Sequence, residues 1–352
     1  MNGGAFETAL NEQGFTCGHY PQSLNMSTVG GWAACRGSGQ SSSRYGNIEN
    51  MIVGIKVVLP DGELLDVRHV PRRSVGPSLI EMFIGSEGTL GMIVELTFRI
   101  WRLPGCEISQ VVVFPSLQHG LDALRNIMQA ELRPAIVRMY DEAESLRWSD
   151  GKLAVETHPI MGTLAFSGLQ NVAEAEASAA IVICEEQGAL LVDDAPFQKW
   201  KKNRFESYSD EYVNAGGFYD TIEVAAPWSA LPEMYAKTRA VVVEKYPAVQ
   251  LNAHWSHVYS DGACMYMTLK FPAMPDEDGF STHADIWEIV TGMCLSMGAT
   301  TSHHHGIGYF RNKWFVEELN AGHGVLSKLK EALDPHSIMN PGKLGMNQES
   351  NL

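Results

Sequence analysis

The chain has 352 residues, which at about 150 residues per domain predicts two domains. Its 41 acidic and 26 basic side chains give a net charge of −15, and an acidic surface repels phosphate backbones, so nucleic-acid binding is excluded as a main activity. Hydrophobic residues make up 45% of the sequence, enough for a large core, while no apolar run reaches the ~18 residues that span a bilayer.

The cysteines and the termini carry no sign of export. The six cysteines are scattered without a C-x-x-C pair, which favours reduced thiols over a disulfide framework or a zinc site. The N-terminal residues lack a basic segment followed by an apolar one, and the C-terminus has no recognisable targeting tripeptide. We therefore expect a cytoplasmic protein without a signal peptide or a transmembrane segment.

The first hundred residues are rich in glycine and in loops, notably over 14–50. The Asp61-Gly62 dipeptide stands between two apolar runs and predicts a β-hairpin. Pro104-Gly105 marks the expected domain boundary. The predicted elements before it are strands over 51–59, 63–68 and 93–101 and a short helix over 79–84.

From residue 108 onward, strands and helices alternate. Alternation of this kind, with antiparallel pairing allowed, predicts an α+β layer sandwich. The predicted strands cover 110–114, 135–140, 162–167, 190–192 and 265–271, and the predicted helices cover 117–131, 142–148, 172–187, 229–246 and 283–297.

Two glycine-rich segments of the first domain have the composition of ligand-binding loops. The first combines STVGG (27–31) with RGSG (36–39), and the second is GSEGTLG (85–91). Glycines let backbone N–H groups approach a phosphate or a flat ring, and the hydroxyls and Arg36 add donors. The alternatives are a surface Ω-loop for the first segment and a tight connection for the second.

A run of three histidines, His303, His304 and His305, precedes Gly306. Imidazole exchanges protons near neutral pH, which suits general acid or base catalysis. In an extended stretch His303 and His305 would share one face and His304 the other, so one or two imidazoles should meet a given ligand. The alternatives are a solvated loop and a metal patch, but this spacing does not gather the ligands on one side.

Two polar side chains, Arg138 and Tyr266, lie within apolar strand-like runs. A guanidinium inside an apolar strand needs a partner or an anionic ligand. A tyrosine in a strand is more often a core residue whose hydroxyl is hydrogen-bonded, and for Tyr266 this remains the alternative.

In their order along the chain, these segments resemble a known family. The motifs GHYPQS, STVGGW, RYGNIE, PDGE, SVGP, GSEGTLG, SHVYSDGACMY, SHHHGIG and DPHSIMNPGKL resemble FAD-binding oxidoreductases of the vanillyl-alcohol-oxidase type, whose FAD-binding domain is of the PCMH type. In particular they are similar to the alkyldihydroxyacetonephosphate synthases and their bacterial relatives. The likeness runs from about Gly14 to Leu344.

The resemblance implies a domain plan and an FAD cofactor. Residues 1–104 would form a partial PCMH-type FAD-binding domain, 105–300 a ferredoxin-like α+β cap domain for the substrate, and 301–352 a C-terminal return that packs at the flavin site. The residues that would contact FAD are Ser23, Ser27, Thr28, Gly30, Gly31, Arg36, Gly37, Ser38, Tyr45, Gly46, Ile48, Glu87, Gly88, Thr89, Leu90, Gly91, Ile93 and Asn340.

The implied catalytic residues are Tyr266 and the run from His303 to His305, as acid and base groups, and Arg138, which would hold an anionic substrate group near the flavin. In the family's ether-lipid synthase, a flavin enzyme acts as a transferase that replaces the acyl chain on dihydroxyacetone phosphate by a fatty alcohol, with no net oxidation. The substrate would be a small or lipid-like molecule, and a homodimer is compatible with the resemblance. The alternatives are an FAD-linked dehydrogenase or oxidase of an alcohol or 2-hydroxy acid, and a truncated remnant without catalysis.

Three departures from the family bear on these expectations. Relatives carry a glycine-rich phosphate loop upstream, and nothing before Gly14 resembles it, so half of the cofactor cradle is expected to be missing. Relatives usually show Tyr-x-Arg-Asp where this chain has SYSDEY (207–212), and without that arginine a substrate phosphate loses a bidentate partner. Gln22 replaces a frequent aspartate, a change that we expect to be tolerated.

One further motif argues against a metal site. Metal-dependent 2-hydroxyacid dehydrogenases of the wider superfamily carry H-x-G-D-G-N-x-H, in which both histidines bind zinc. Here the matching region runs from His257 to Tyr266, with tyrosine in place of the second histidine. We therefore expect no metal.

Overall fold

The structure is a computed structural model that describes residues 1–206 and 210–346. The chain forms two compact units. The first comprises Met1–Gly39, Tyr45–Leu103 and the stretch from Thr301 onward, and the second comprises Gln40–Arg44 and Pro104–Thr300. Among the described residues, no helix combines the length and the apolar composition needed to cross a bilayer.

Short helices and two small sheets make up the first hundred residues. The helices are α1 (Gly3–Asn11), α2 (Val29–Ala34), α3 (Ser42–Tyr45), α4 (Ile48–Met51) and α5 (Leu79–Phe83). The strands are β1 (Phe15–Thr16), β2 (Ile52–Val58), β3 (Leu64–Val67), β4 (Met92–Phe98) and β5 (Trp101–Arg102). β1 pairs with β5, and β3, β2 and β4 form an antiparallel sheet in that order.

The predicted hairpin is confirmed by the antiparallel pairing of β2 with β3. Gly62 has a φ of +89° in the turn, a conformation that glycine adopts without steric cost. The loop-rich stretch before it contains α2, α3 and α4, which the sequence did not predict. The side-chain oxygen of Thr28 accepts a hydrogen bond from the N–H of Gly31 at 3.2 Å and so caps α2, and a cap of this kind starts a helix too short to show a period.

The second unit is built on one large antiparallel sheet. Its strands are β6 (Cys106–Phe114), β7 (Ile136–Tyr140), β8 (Ile160–Gly168), β9 (Leu190–Val192), β10 (Phe218–Pro227), β11 (Gln250–Val258) and β12 (Gly262–Phe271), in the order β10-β12-β11-β7-β8-β6-β9. Its helices are α6 (Leu117–Gln129), α7 (Glu142–Trp148), α8 (Gln170–Glu186), α9 (Ala195–Asn203), α10 (Asp210–Asn214), α11 (Leu231–Lys245) and α12 (Asp276–Ser296). The α+β class is confirmed, whereas β10 and β11 are additional to the predicted strands.

One face of this sheet is apolar and covered by helices. The helices α6 and α11 pack there against Met139 and Trp255. The central strands contribute to this face Leu251, Ala253, Trp255, Met265, Met267 and Leu269, each at most 2% exposed. Because successive side chains of a strand alternate between faces, the intervening residues form the opposite face.

The first unit is completed by the C-terminal elements α13 (Asn312–Leu319), α14 (Ala321–Leu333) and a 3₁₀ turn (Lys343–Gly345). Leu329 and Leu333 of α14 pack against the apolar cluster of the three-stranded sheet. The buried members of that cluster are Ile55, Val57, Val67, Phe83 and Leu90.

A buried ammonium ties α14 to the second glycine-rich segment. Lys330 is fully buried, and its Nζ donates to the carbonyl of Thr89 at 2.8 Å, to the carbonyl of Met339 at 2.6 Å and to the carboxylate of Asp334. Burial opposes the ionisation of Asp334, but the bonds from Lys330 and from the N–H groups of Met339 and Ile338 outweigh it and lower its pKa. The C-terminal segment is therefore anchored to the bend at 85–91.

The substitution Lys330→Met should strongly destabilise the first unit. It leaves the carboxylate of Asp334 buried without its cation, which typically costs about 3–5 kcal/mol. The matched control is Lys328→Met, on the same helix but exposed, which should change the free energy of unfolding by less than about 0.5 kcal/mol. Urea unfolding curves of the three proteins provide the measurement, and equal midpoints for the two variants would contradict the prediction.

Candidate functional site

The two glycine-rich segments are hydrogen-bonded to each other in the first unit. The N–H of Gly85 donates to the carbonyl of Ala33 at 2.9 Å, and the N–H of Glu87 donates to the carbonyl of Ala34 at 2.8 Å. These carbonyls belong to the last turn of α2, whose final residues have no partner within the helix. The chain thus brings together segments about fifty residues apart in sequence.

The predicted cofactor residues differ in their exposure. Ser23, Thr28, Gly31, Arg36 and Asn340 are exposed, whereas Gly37, Ser38, Ile48, Thr89, Leu90 and Gly91 are buried. The remaining ones, Ser27, Gly30, Tyr45, Gly46, Glu87, Gly88 and Ile93, are half-buried.

Arg36 ends the α2 turn with a left-handed φ of +54°. Its guanidinium lies 3.4 Å from the carboxylate of Glu49 and 3.4 Å from that of Glu81. Since the Arg36 side chain is 50% exposed, solvent screens both pairs. The cation therefore remains accessible at the surface of the bend.

A cavity of about 380 Å³ lies beside the two bends within the first unit. Cys35, Arg36, Glu87, His303 and His304 are among the side chains that line it. It therefore joins the glycine-rich segments to the histidine run.

The histidine run is bent, not extended, and this corrects the expected alternation of faces. His303 and His304 both line the cavity, with their Nδ1 atoms 2.9 Å apart, while His305 is exposed. The chain turns at Gly306, where φ is +82°, and a bend of this kind does not have the two-residue period of a strand. That one or two of the imidazoles meet a given ligand stays a prediction, and two of the three line the cavity.

In the second unit, the opposite face of the sheet is polar over β10, β12, β11 and part of β7, whereas over β6 and β8 it is apolar and packs against α7 and α9. Because residues opposite each other in an antiparallel pair point to the same side, the pairing register defines this polar face. It consists of Arg138, Tyr140, Tyr219, Thr221, Glu223, Asn252, His254, Ser256, Cys264, Tyr266, Thr268 and Lys270.

Tyr266 occupies the centre of the polar face. It lies between Glu223 on β10 and His254 on β11, and its ring stacks on the imidazole of His254 with centroids 4.6 Å apart. Burial raises the pKa of Tyr266 well above its ordinary value, the hydrogen bond to Thr221 offsets only part of this, and the charge of Glu223 raises it further. The phenol is therefore a weaker acid than an ordinary tyrosine, and in its protonated form it can donate a hydrogen bond.

Arg138 lies on the same face, in the strand next to β11. Its Nε donates to the hydroxyl of Tyr140 at 2.9 Å, and its guanidinium lies 5.0 Å from the ring centroid of Trp200. Among the described residues, no carboxylate lies within ion-pair distance of Arg138. Among the described residues, no carboxylate therefore occupies its guanidinium, which can form charge-assisted hydrogen bonds to an anionic ligand.

Sequence reasoning missed several polar-face residues and one histidine beside them. Glu223 is fully buried and His254 contacts Tyr266, yet neither stood out as a candidate. His257 is buried at a β-bulge with a φ of +51°, and its Nδ1 is 2.8 Å from the hydroxyl of Ser42. The signal was available in β11, where Asn252, His254 and Ser256 alternate with apolar residues.

Comparison with known proteins assigns the family. Residues 106–344 match the family described as FAD linked oxidases, C-terminal domain, and residues 1–68 match the family described as FAD binding domain. The chain belongs to the FAD-linked oxidase family. Its cofactor is FAD, as the sequence predicted.

The relatives of this FAD-linked oxidase differ in their named activities. It is 30% identical to the FAD-linked oxidoreductase YgcU of Escherichia coli over 96% of this chain and 72% of that protein. It is 29% identical to the alkyldihydroxyacetonephosphate synthase of Dictyostelium discoideum over 97% of this chain and 60% of the synthase. It is also 27% identical to a mitochondrial D-lactate dehydrogenase of Arabidopsis thaliana over 90% of this chain and 56% of that protein.

Solved structures of low sequence identity share the fold. An alkyldihydroxyacetonephosphate synthase structure superimposes with a TM-score of 0.81 at 24% identity, covering 97% of this chain and 63% of that one. p-Cresol methylhydroxylase with substrate bound gives a TM-score of 0.77 at 15% identity, covering 99% of this chain and 76% of that one. The chain thus spans about three fifths of the length of the synthases that it matches.

Two features of the first unit fit a bound FAD. A Cβ added to Gly30 would meet nothing within 4 Å, so the first bend has open space beside its backbone. His19 packs against Trp32 with ring centroids 4.6 Å apart, and its buried ring nitrogens have no hydrogen-bond partner among the described residues. A flat cofactor rich in acceptors and donors suits such a site.

The buried His19 should make the protein less stable in mild acid. Burial lowers its pKa to about 3, and the nearby charge of Glu7 offsets this only in part. Between the unfolded pKa of about 6.5 and the folded one, only the unfolded state takes up the proton, so stability is full above about pH 6.5 and falls by about 2 kcal/mol by pH 5.

The measurement compares unfolding free energies near pH 7 and pH 5 for the wild type, His19→Phe and the control His336→Phe, whose histidine is exposed. We expect the free energy of unfolding of the wild type and of His336→Phe to fall by about 2 kcal/mol between pH 7 and pH 5, and that of His19→Phe to fall much less. The same slope in all three proteins would show that His19 is not the titrating group.

Proposed function

We propose that the protein is an FAD-dependent enzyme of the alkyldihydroxyacetonephosphate-synthase type that acts on an anionic, lipid-like substrate. The observation that carries this proposal is Arg138, a guanidinium on the polar face without a carboxylate partner among the described residues. The likeness to the synthases over 97% of the chain supports it.

In this proposal the polar face binds the substrate. Arg138 pairs with its anionic group, and Tyr266 donates a hydrogen bond to a substrate oxygen and acts as a proton donor when negative charge develops on that oxygen. Stacking on His254 and the contact with Thr221 fix the phenol, so little freedom is lost when the substrate binds.

The first unit supplies the cofactor side of the reaction. Its two bends hold FAD, which when bound provides the electron-accepting centre. His303 and His304 exchange protons at the cavity that both line. Their imidazoles are in contact with each other, so a proton on one changes the affinity of the other for a second proton.

A second candidate function is an FAD-linked dehydrogenase or oxidase of an alcohol or 2-hydroxy acid. The observation that favours it is the missing arginine of the Tyr-x-Arg-Asp motif, although Ser207, Tyr208 and Ser209 lie outside the described residues. A carboxylate needs fewer donors than a phosphate, and Arg138 alone can bind one bidentately. The D-lactate dehydrogenase of Arabidopsis thaliana, 27% identical, is a relative of this kind.

Two assays on the flavin-loaded protein separate these functions. Anaerobic bleaching of the flavin absorbance by small 2-hydroxy acids is expected of the dehydrogenase. Exchange of the acyl chain of acyl dihydroxyacetone phosphate for a long-chain alcohol, without bleaching at steady state, is expected of the synthase. Neither response, over a broad panel of both substrate classes, would contradict both functions.

The substitutions His304→Ala and Tyr266→Phe should each strongly lower turnover and leave FAD bound. Loss of a general acid or base typically lowers kcat by about 10²–10⁴-fold, whereas neither change removes a predicted cofactor contact. The matched controls are His336→Ala and Tyr246→Phe, which alter the same residue types elsewhere. Steady-state kinetics and the flavin-to-protein absorbance ratio provide the measurement, and full activity in both variants would overturn the assignment.

A further inference from the structure

We propose that Glu87 is a positioning residue whose carboxylate fixes the loop that carries His303 and His304 onto the second glycine-rich bend. This inference rests on the proposed function for the catalytic role of the histidines. The fixation itself is a property of the loop, so it can be tested without any substrate.

The carboxylate of Glu87 binds the loop directly after the histidine run. Its Oε1 accepts the N–H of Ile307 at 2.6 Å, and its Oε2 accepts the N–H of Gly308 at 2.9 Å. Each oxygen thus takes one backbone donor, an arrangement in which the negative charge strengthens both bonds. The side chain of Glu87 thus joins it to residues that lie 220 and 221 positions further along the chain.

The two glycines of HHHGIG are explained by this contact. Gly306 has a φ of +82°, and a Cβ there would lie 2.7 Å from Oε1 of Glu87. Gly308 has a φ of +60°. Gly306 leaves room for the carboxylate of Glu87 beside the backbone, and both glycines adopt the left-handed φ of this turn without steric cost.

Glu87 is itself held from two other directions. Its N–H donates to the carbonyl of Ala34, and its own carbonyl accepts the side-chain amide of Asn340. Burial raises the pKa of the neighbouring Cys35 thiol, and the charge of Glu87 raises it further. The residue therefore joins α2, the second bend, the histidine loop and the C-terminal segment.

This arrangement defines how Glu87 would serve the cofactor. Both oxygens of its carboxylate accept backbone N–H groups of the histidine loop. We therefore assign its contribution to placement of the histidines, with the bend's other residues left to contact FAD.

The test compares hydrogen exchange of the peptide over 302–311 in the flavin-loaded wild type and in Glu87→Gln. The amide side chain loses the charge and turns a donor toward one of the two N–H groups, so exchange of this peptide should speed up by about tenfold or more. The matched control is Glu95→Gln, an exposed glutamate paired with Lys56, which should leave the peptide unchanged.

A second variant guards against a general loss of folding. Gly306→Ala keeps Glu87 but places a methyl group against its carboxylate, and it should speed exchange in the same peptide. Its control is Gly324→Ala, where a Cβ would meet nothing within 4 Å. Turnover of Glu87→Gln should fall by about 10²-fold with the flavin-to-protein ratio kept, because displacing a catalytic group by about 1 Å costs that much.

Unchanged exchange at 302–311 in Glu87→Gln would overturn the proposal. Loss of FAD from this variant with unchanged exchange would also overturn it, because Glu87 would then be a direct cofactor contact. Faster exchange together with reduced turnover would support it. A wild type without either activity would refute the proposed function, and faster exchange in the variants would then still establish the carboxylate as the anchor of the loop.

Discussion

The first unit depends on a carboxylate that is shared by chain segments distant in sequence. Two backbone N–H groups of the histidine loop point at the oxygens of Glu87, while its main chain bonds to α2 and to Asn340. Backbone donors that are left unpaired in a folded interior cost free energy, so the loop has one favourable position. The fully buried Lys330 anchors the other side of the same bend.

The second unit is organised around one antiparallel sheet. The face covered by α6 and α11 is apolar, and the other face is apolar under α7 and α9, whereas the polar face over β10, β11 and β12 holds buried ionisable groups. Burial disfavours the phenolate of Tyr266 and makes the phenol a weaker acid, and Arg138 is flanked by Tyr140 and Trp200 and by no described carboxylate. The strand period of two thus separates apolar core residues from ionisable ones along β10, β11 and β12.

Several features could be predicted from the sequence because their causes are local. The Asp61-Gly62 turn specified the hairpin, and the limits of α7 and β9 agree with the predicted 142–148 and 190–192. The strands β10 and β11 were missed, although polar and apolar residues alternate along both, as at Thr221 and Glu223 in β10 and at His254 and Ser256 in β11. The expected alternation of the three histidines failed because a glycine with positive φ bends the chain after them.

The sequence by itself determined the family, the FAD cofactor, the α+β class and the residue types available for proton transfer, since these follow from ordered motifs and local periodicity. Only the tertiary structure decided that His303 and His304 share a cavity, that Glu87 anchors their loop, and that Tyr266 lies between Glu223 and His254. The physical reason is that hydrogen bonds and burial act over a few ångströms in space. The partners concerned are separated by tens to hundreds of residues along the chain, and no local pattern records which of them will meet.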